Sequence, residues 1–159
     1  MVTISLCMIV KNEERVLGRC LESVQEIADE IIIVDTGSED RTKEIAEKYH
    51  ARVFEQEWQD DFSRARNYSF SHAEMDYCMW LDADDIITKS EALKLKRWKE
   101  ETDESSDVIM LRYVAGFDEK RNPTLVYYRE RIVKRDKDFQ WQGRVHEAIA
   151  VRGRTEYLD

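Results

Sequence analysis

Three short polar clusters carry the side chains best suited to chemistry, and each one closes an apolar run. Lys11-Asn12-Glu13-Glu14 follows Thr3–Val10, Asp35-Thr36-Gly37-Ser38 follows Glu30–Val34, and Asp82-Ala83-Asp84-Asp85 follows Tyr77–Leu81. Asp82 and Asp84, one residue apart in an extended turn, can point at a single hard cation. Mg2+ or Mn2+ takes few protein oxygens and fills its shell with substrate phosphate oxygens. A solvated acidic turn is the competing reading of this pair; helix capping explains any one of the three clusters but explains three together poorly. Asp35 can accept a hydrogen bond from an imide N–H or a ribose hydroxyl; the competing role is a turn or cap aspartate. Between these clusters lies Asp61-Phe62-Ser63-Arg64-Ala65-Arg66-Asn67, where Arg64 and Arg66 each offer a planar fork to phosphate or carboxylate. Trp58, Asp60 and Asp61 suit a loop wall beside them. Gly143-Arg144-Val145-His146-Glu147 sets a metal-ligand type next to a general-base type. Neighbours on a strand face opposite ways, so either this segment is a turn or only one of the pair faces a site.

The elements that must position these groups follow from the hydrophobic pattern. The run over 3–10 predicts a buried strand. Asn12 is placed to cap the next helix, which shows Val16, Leu17, Cys20, Leu21, Val24 and Ile27 at helical spacing. Residues 30–34 predict a second strand, with Ser38 or Asp40 capping a helix to about Tyr49. Strands over 51–54 and 77–81, helices over about 62–72 and 89–102, and a strand over 108–113 complete the alternation. Continuous apolar strands alternating with helices indicate an α/β fold, a mostly parallel sheet with helices on its faces. In such sheets ligands bind beyond the carboxyl ends of the strands, where the three clusters fall. From about 112 the pattern changes to short segments at 124–128, 131–134 and 145–151, expected as antiparallel additions at the sheet edge.

Composition excludes several classes. The 159 residues carry 34 acidic and 25 basic side chains, a net charge of −9 with a pI of about 5.0. That balance argues against nucleic acid as a partner. A hydrophobic fraction of 42% argues against disorder. No apolar run approaches the ~20 residues that cross a bilayer, and the N-terminal stretch lacks the basic region of a signal peptide. Cys7, Cys20 and Cys78 have no metal spacing and read as buried thiols in a reducing, cytoplasmic setting. Charge is uneven, −12 over residues 1–111 and +3 over 112–159. The basic end is a weak pointer to an anionic acceptor.

In order and spacing, ISLCMIVKNEE, DEIIIVDTGSEDRT, DFSRARN, WLDADD and GRVHE, covering about residues 3–150, resemble the family 2 glycosyltransferases, inverting enzymes of the GT-A fold. The resemblance implies a single glycosyltransferase domain over 1–159, with a nucleotide-sugar part to about 112 and an acceptor and catalytic part over about 113–159. It implies a nucleotide pocket at Val10 to Glu14, including Asn12, with Glu14 its polar contact. Asp35, with Gly37 in its turn, would read the base, commonly uracil. Arg64 or Arg66, preferably Arg66, would be the basic residue near the donor. Asp82 and Asp84 would hold ribose and metal-bound diphosphate, Glu147 would be the catalytic carboxylate, and His146 a late metal or diphosphate contact. The cofactor implied is Mn2+ or Mg2+, and the donor a nucleoside-diphosphate sugar, UDP-sugars favoured. The acceptor could be a saccharide, lipid carrier, protein or small molecule. The expected reaction is a single displacement at the anomeric carbon. Two features depart from the pattern: His146-Glu147 stands where many relatives have Glu-Asp, and the sequence ends about a dozen residues after Glu147. The second suggests a small member or a piece of a longer chain with a further C-terminal domain.

Other readings have their own requirements. A Mg2+-dependent phosphohydrolase of the haloacid dehalogenase type wants Asp-x-Asp after the first strand, whereas here it follows the fourth. A nucleotidylyltransferase wants a glycine-rich loop after the first strand, where IVKNEE has none. A non-catalytic or incomplete sugar-nucleotide-binding domain would bind nucleotide without transfer.

Overall fold

The computed structural model describes residues 1–159. Its elements are β1 (Ile4–Val10), α1 (Leu17–Val24), β2 (Glu30–Asp35), α2 (Thr42–Lys48), β3 (Arg52–Glu55), α3 (Phe62–Ser71), β4 (Tyr77–Trp80), α4 (Lys89–Glu101), β5 (Val108–Phe117), β6 (Pro123–Lys134), β7 (Trp141–Gln142), β8 (Ala148–Ile149) and β9 (Thr155–Leu158). One seven-stranded sheet runs β3-β2-β1-β4-β6-β5-β9, and β7 pairs with β8 in a separate two-stranded ribbon. β3, β2, β1 and β4 are parallel, so all end at one rim. The expected α/β sheet with flanking helices is present. Residue 112 lies within β5, so the seven-stranded sheet is continuous across that position.

Strand periodicity divides the core into two faces. Ile4, Leu6, Met8, Ile33, Tyr77, Met79, Ile109 and Ile132 point one way and pack on Leu17, Cys20, Leu21 and Val24 of α1, Ala46 of α2, and Leu95 and Trp98 of α4. Cys7, Ile32, Cys78, Trp80, Val108 and Val133 point the other way, toward Phe70 of α3 and toward Phe139 and Trp141. Burial on both faces is why these strands read as unbroken apolar runs.

Several expectations need correction. Asn12 does not cap α1, which starts at Leu17 with no side-chain cap. Asn12 adopts a left-handed conformation (φ 51°), and its side-chain oxygen accepts from the Glu39 N–H at 2.8 Å. Neither candidate caps α2, whose N-cap position is Arg41 with no side-chain cap; Asp40, one residue earlier, accepts from the Thr42 N–H at 3.0 Å. Ser38 instead accepts from the Asn12 N–H. The segments at 124–128 and 131–134 are one strand, β6, and it lies inside the sheet between β4 and β5, antiparallel to both. Of 145–151, only Ala148–Ile149 is a strand. β9 pairs parallel with β5 at the edge and has no strong pattern of its own.

Candidate active site

The first two rim loops are stitched together. The Asn12 N–H donates to Ser38 Oγ at 2.9 Å, Glu13 N–H to Thr42 Oγ1 at 2.8 Å, and Glu14 N–H to Asp40 Oδ2 at 3.2 Å. In return Glu14 Oε2 accepts from the Arg41 N–H at 3.1 Å, so one of its carboxylate oxygens serves the loop. Val10 is a core side chain, and its carbonyl accepts from the Thr36 N–H and hydroxyl. These bonds satisfy the backbone where β1 and β2 end and fix the shape of the rim.

Asp35, at the end of β2, is 1% exposed. Its Oδ1 accepts from the Gly37 and Ser38 N–H groups at 2.9 and 2.8 Å, a turn that needs Gly37 at φ 119°. Its Oδ2 is buried with no partner. An unmet buried acceptor is uncommon and calls for an explanation. Of the two roles weighed for Asp35, the turn is the one seen here: one oxygen builds it, and the other has no donor within the protein.

Arg66 is the centre of the site. Asp61 caps α3 by accepting from the Arg64 N–H, and the helix turns Arg66 inward and Arg64 outward. The Arg64 side chain bonds only Gln59 and is exposed. Arg66 is 5% exposed. Its Nη2 donates to Asp82 Oδ1 at 2.6 Å and to Glu147 Oε1 at 3.1 Å, and its Nε reaches Glu147 Oε1 at 3.2 Å. The guanidinium lies between Trp80 and Trp141, 4.9 and 5.0 Å from the ring centroids. Its Nη1 has no oxygen partner and is left against those rings. The structure therefore joins Arg66, Asp82 and Glu147, residues 81 apart at the extremes, and leaves Arg64 out.

The rest of the DFSRARN segment holds the chain that carries Glu147. The Phe62 N–H donates to the Arg144 carbonyl, Ser63 Oγ to the Gly143 carbonyl, and Asn67 exchanges two bonds with the Trp141 backbone. Residues 143–147 form a turn, with Gly143 at φ 99° and His146 at φ 57°. That settles the alternatives for this pair: the Glu147 side chain is 14% exposed and points inward, while His146 is exposed and makes no hydrogen bond.

The Asp82–Asp85 turn follows β4. The Asp82 side chain is 48% exposed, Asp84 is exposed and unpartnered, and Asp85 turns inward. Glu13 stands in the same acidic field: its carboxyl is pushed up by burial first, then by Asp84, Asp40 and Asp82. A cation would relieve that field. No three His, Cys, Asp or Glu side chains gather into a metal cage; the carboxylates that the turn offers to solvent, Asp84 and Asp82, would fit an ion that draws its other ligands from substrate and water. Behind the turn, Cys20 Sγ contacts the Asp82 carbonyl at 3.6 Å. Burial and the nearby aspartates push this thiol up to about 12, so it stays protonated and unreactive.

Sequence reasoning did not single out Trp80, Trp141 or Arg131. The role of the two tryptophans as faces for Arg66 depends on β7 folding under α3. Arg131 left no signal of its own, because β6 also carries Arg129, Glu130 and Lys134. A cavity of about 460 Å3 lies away from this rim, between residues 101–106 and 154–156.

A mostly parallel sheet whose strand ends gather Asp35, with one oxygen unpartnered, an acidic turn at 82–85 and an arginine-clamped glutamate has the GT-A fold. The chain belongs to glycosyl transferase family 2, whose model matches residues 5–152. It is 37% identical over 150 residues to a TPR repeat-containing protein of Synechococcus elongatus, covering 94% of this chain and 36% of that protein. It is 28% identical over 148 residues to the SPbeta prophage-derived glycosyltransferase SunS of Bacillus subtilis, covering 91% and 34%. The structure of S. aureus TarS 1-349 in complex with UDP-GlcNAc superposes with a TM-score of 0.72 at 18% identity, covering 98% of this chain and 56% of that one. The chain thus spans about a third of the length of these two relatives. No helix is long and apolar enough to cross a membrane.

Proposed function

We propose that this chain is the donor-binding and catalytic part of an inverting glycosyltransferase that moves a sugar from a UDP-sugar to an acceptor hydroxyl. One observation carries the reading: a single buried guanidinium holds Asp82, on the donor turn, and Glu147, a base type, within 3.2 Å of itself. Family membership and the likeness to TarS, which was captured with UDP-GlcNAc, support it. Asp35 Oδ2 would accept the imide N–H of uracil. Glu147 Oε2, which makes no hydrogen bond here, would take the proton of the acceptor hydroxyl as that oxygen attacks the anomeric carbon. The bond from that carbon to the diphosphate breaks, and the diphosphate departs with the electron pair. Asp84 and Asp82 would hold Mn2+ or Mg2+, which when bound offsets charge on the diphosphate. The three cysteines, all buried and free, fit a reducing compartment, so the reading includes a cytoplasmic location.

Calorimetric titration of UDP, GDP and dTDP, each with and without Mn2+, tests the donor assignment. Metal-dependent binding of UDP is the expected result, and no binding by a folded sample would overturn it.

Two substitutions divide the site further. Asp35→Asn keeps the turn acceptor and puts a donor where the imide N–H would arrive. UDP affinity should fall at least about tenfold, and preference for UDP over CDP should narrow, because cytosine presents an acceptor there. An equal loss for both nucleotides would make Asp35 structural only. Asp84 makes no intramolecular bond, so Asp84→Ala should melt within a few degrees of the parent. It should lose about tenfold or more of the Mn2+-dependent part of UDP affinity. An unaltered Mn2+ effect would remove Asp84 from the cation.

A further inference from the structure

Arg131 lies on β6, outside every motif that marks the site. The pairing of Met79 with Ile132 sets it beside Trp80 at the end of β4. It is 5% exposed, and its guanidinium sits 4.0 Å from the Trp80 ring centroid and 4.9 Å from that of Tyr113. Its Nη1 donates to Asp85 Oδ2 at 3.0 Å and approaches the Trp80 carbonyl at 3.4 Å. The same Asp85 Oδ2 accepts from the Asp82 N–H at 2.8 Å, and the Asp85 N–H returns to the Asp82 carbonyl at 3.0 Å. A carboxylate with both partners inside the protein is a poor candidate for a ligand contact. It is well placed to set the shape of a turn.

We infer that Arg131 and Asp85 are positioning residues. Together they lock the Asp82–Asp85 turn so that the Asp84 carboxylate, and the Asp82 oxygen left free by Arg66, face the donor. This rests on the assignment of that turn to the donor diphosphate. Three physical points support it. An arginine enclosed this fully is costly unless paired, and Asp85 is its one ionic partner. The pair is anchored to two strands, so the turn inherits the rigidity of the sheet. Asp84 lies between the two braced residues with nothing else holding it, so its direction is set by theirs. Groups that orient ligating carboxylates in this way typically alter affinity or activity 10–100-fold when removed. Antiparallel insertion of β6 next to β4 makes the brace possible; a fifth parallel strand would bring a different residue to that position.

The test uses Asp85→Asn and the double variant Asp85→Asn with Arg131→Gln, which removes both charges and leaves no unpaired one buried. Two properties are measured: amide hydrogen exchange of residues 78–85 without ligand, and UDP binding with and without Mn2+. Exchange at the Asp82 N–H should rise about tenfold or more in both variants while Cys78 to Trp80 stay protected. Mn2+-dependent UDP affinity should fall by a similar factor, with metal-free UDP binding little changed. Unchanged exchange at Asp82 would overturn the brace, even if the parent protein bound no nucleotide. Looser exchange with undiminished Mn2+-dependent affinity would also overturn it, leaving the pair a matter of stability alone. A parent that binds no nucleotide defeats the donor reading instead, so the two failures are distinct.

Discussion

Arg66→Ala should abolish sugar transfer and cost about 3 kcal/mol of stability, roughly a 10 °C fall in melting temperature for a chain of this length. The guanidinium is enclosed between two indoles and makes three hydrogen bonds to two carboxylates. Its removal leaves Glu147 largely buried without its cation and opens a gap between Trp80 and Trp141. The Asp82 contact contributes less to this loss, since that side chain is half exposed and screened. Arg66→Lys separates charge from geometry. A lysine brings one point charge and cannot serve Asp82 and Glu147 with a fork. It should recover most of the stability yet little of the turnover, because the two carboxylates would no longer be held in fixed relation. Denaturation of both variants, beside release of UDP from a panel of UDP-sugars, reads the two effects independently. Full activity in Arg66→Lys would mean that only the positive charge matters.

The order of elements through α4 was legible because it is written locally. Buried parallel strands are continuous apolar runs, and each is followed by a polar cluster where the chain leaves the sheet. Those clusters marked the rim and, with it, Asp35, Asp82 and Asp84. The choice of Arg66 over Arg64 followed from resemblance and is explained by helix geometry: after the Asp61 cap, position 66 faces the sheet. What was illegible depends on contacts distant in sequence. Asn12 looked like a cap because local pattern cannot show that Ser38 and Glu39 compete for it across the rim. Strand order carries no local mark either, so β6 read as an edge addition and its place beside β4 was hidden. The Arg131–Asp85 brace was hidden for the same reason. His146 and Glu147 could not be told apart by type; the positive φ at His146 rotates one out and one in.

Glu147→Gln should lower turnover by about 10²- to 10⁴-fold while leaving UDP affinity within about threefold of the parent. Glutamine is close in size and keeps an oxygen where Arg66 reaches Oε1, so the clamp on Asp82 survives. What it loses is the carboxylate's second oxygen as a proton acceptor, the group the attacking hydroxyl needs. Arg66 takes only Oε1, and that asymmetry makes the prediction sharp: one oxygen fixes the side chain and the other is available for chemistry. Three outcomes separate the roles. Lost turnover with retained binding assigns the base to Glu147, despite the His-Glu sequence that replaces the usual Glu-Asp. Loss of both binding and turnover would make Glu147 a structural counter-ion of Arg66, and the base would have to come from elsewhere. Turnover at the parent rate would show that the clamp alone suffices.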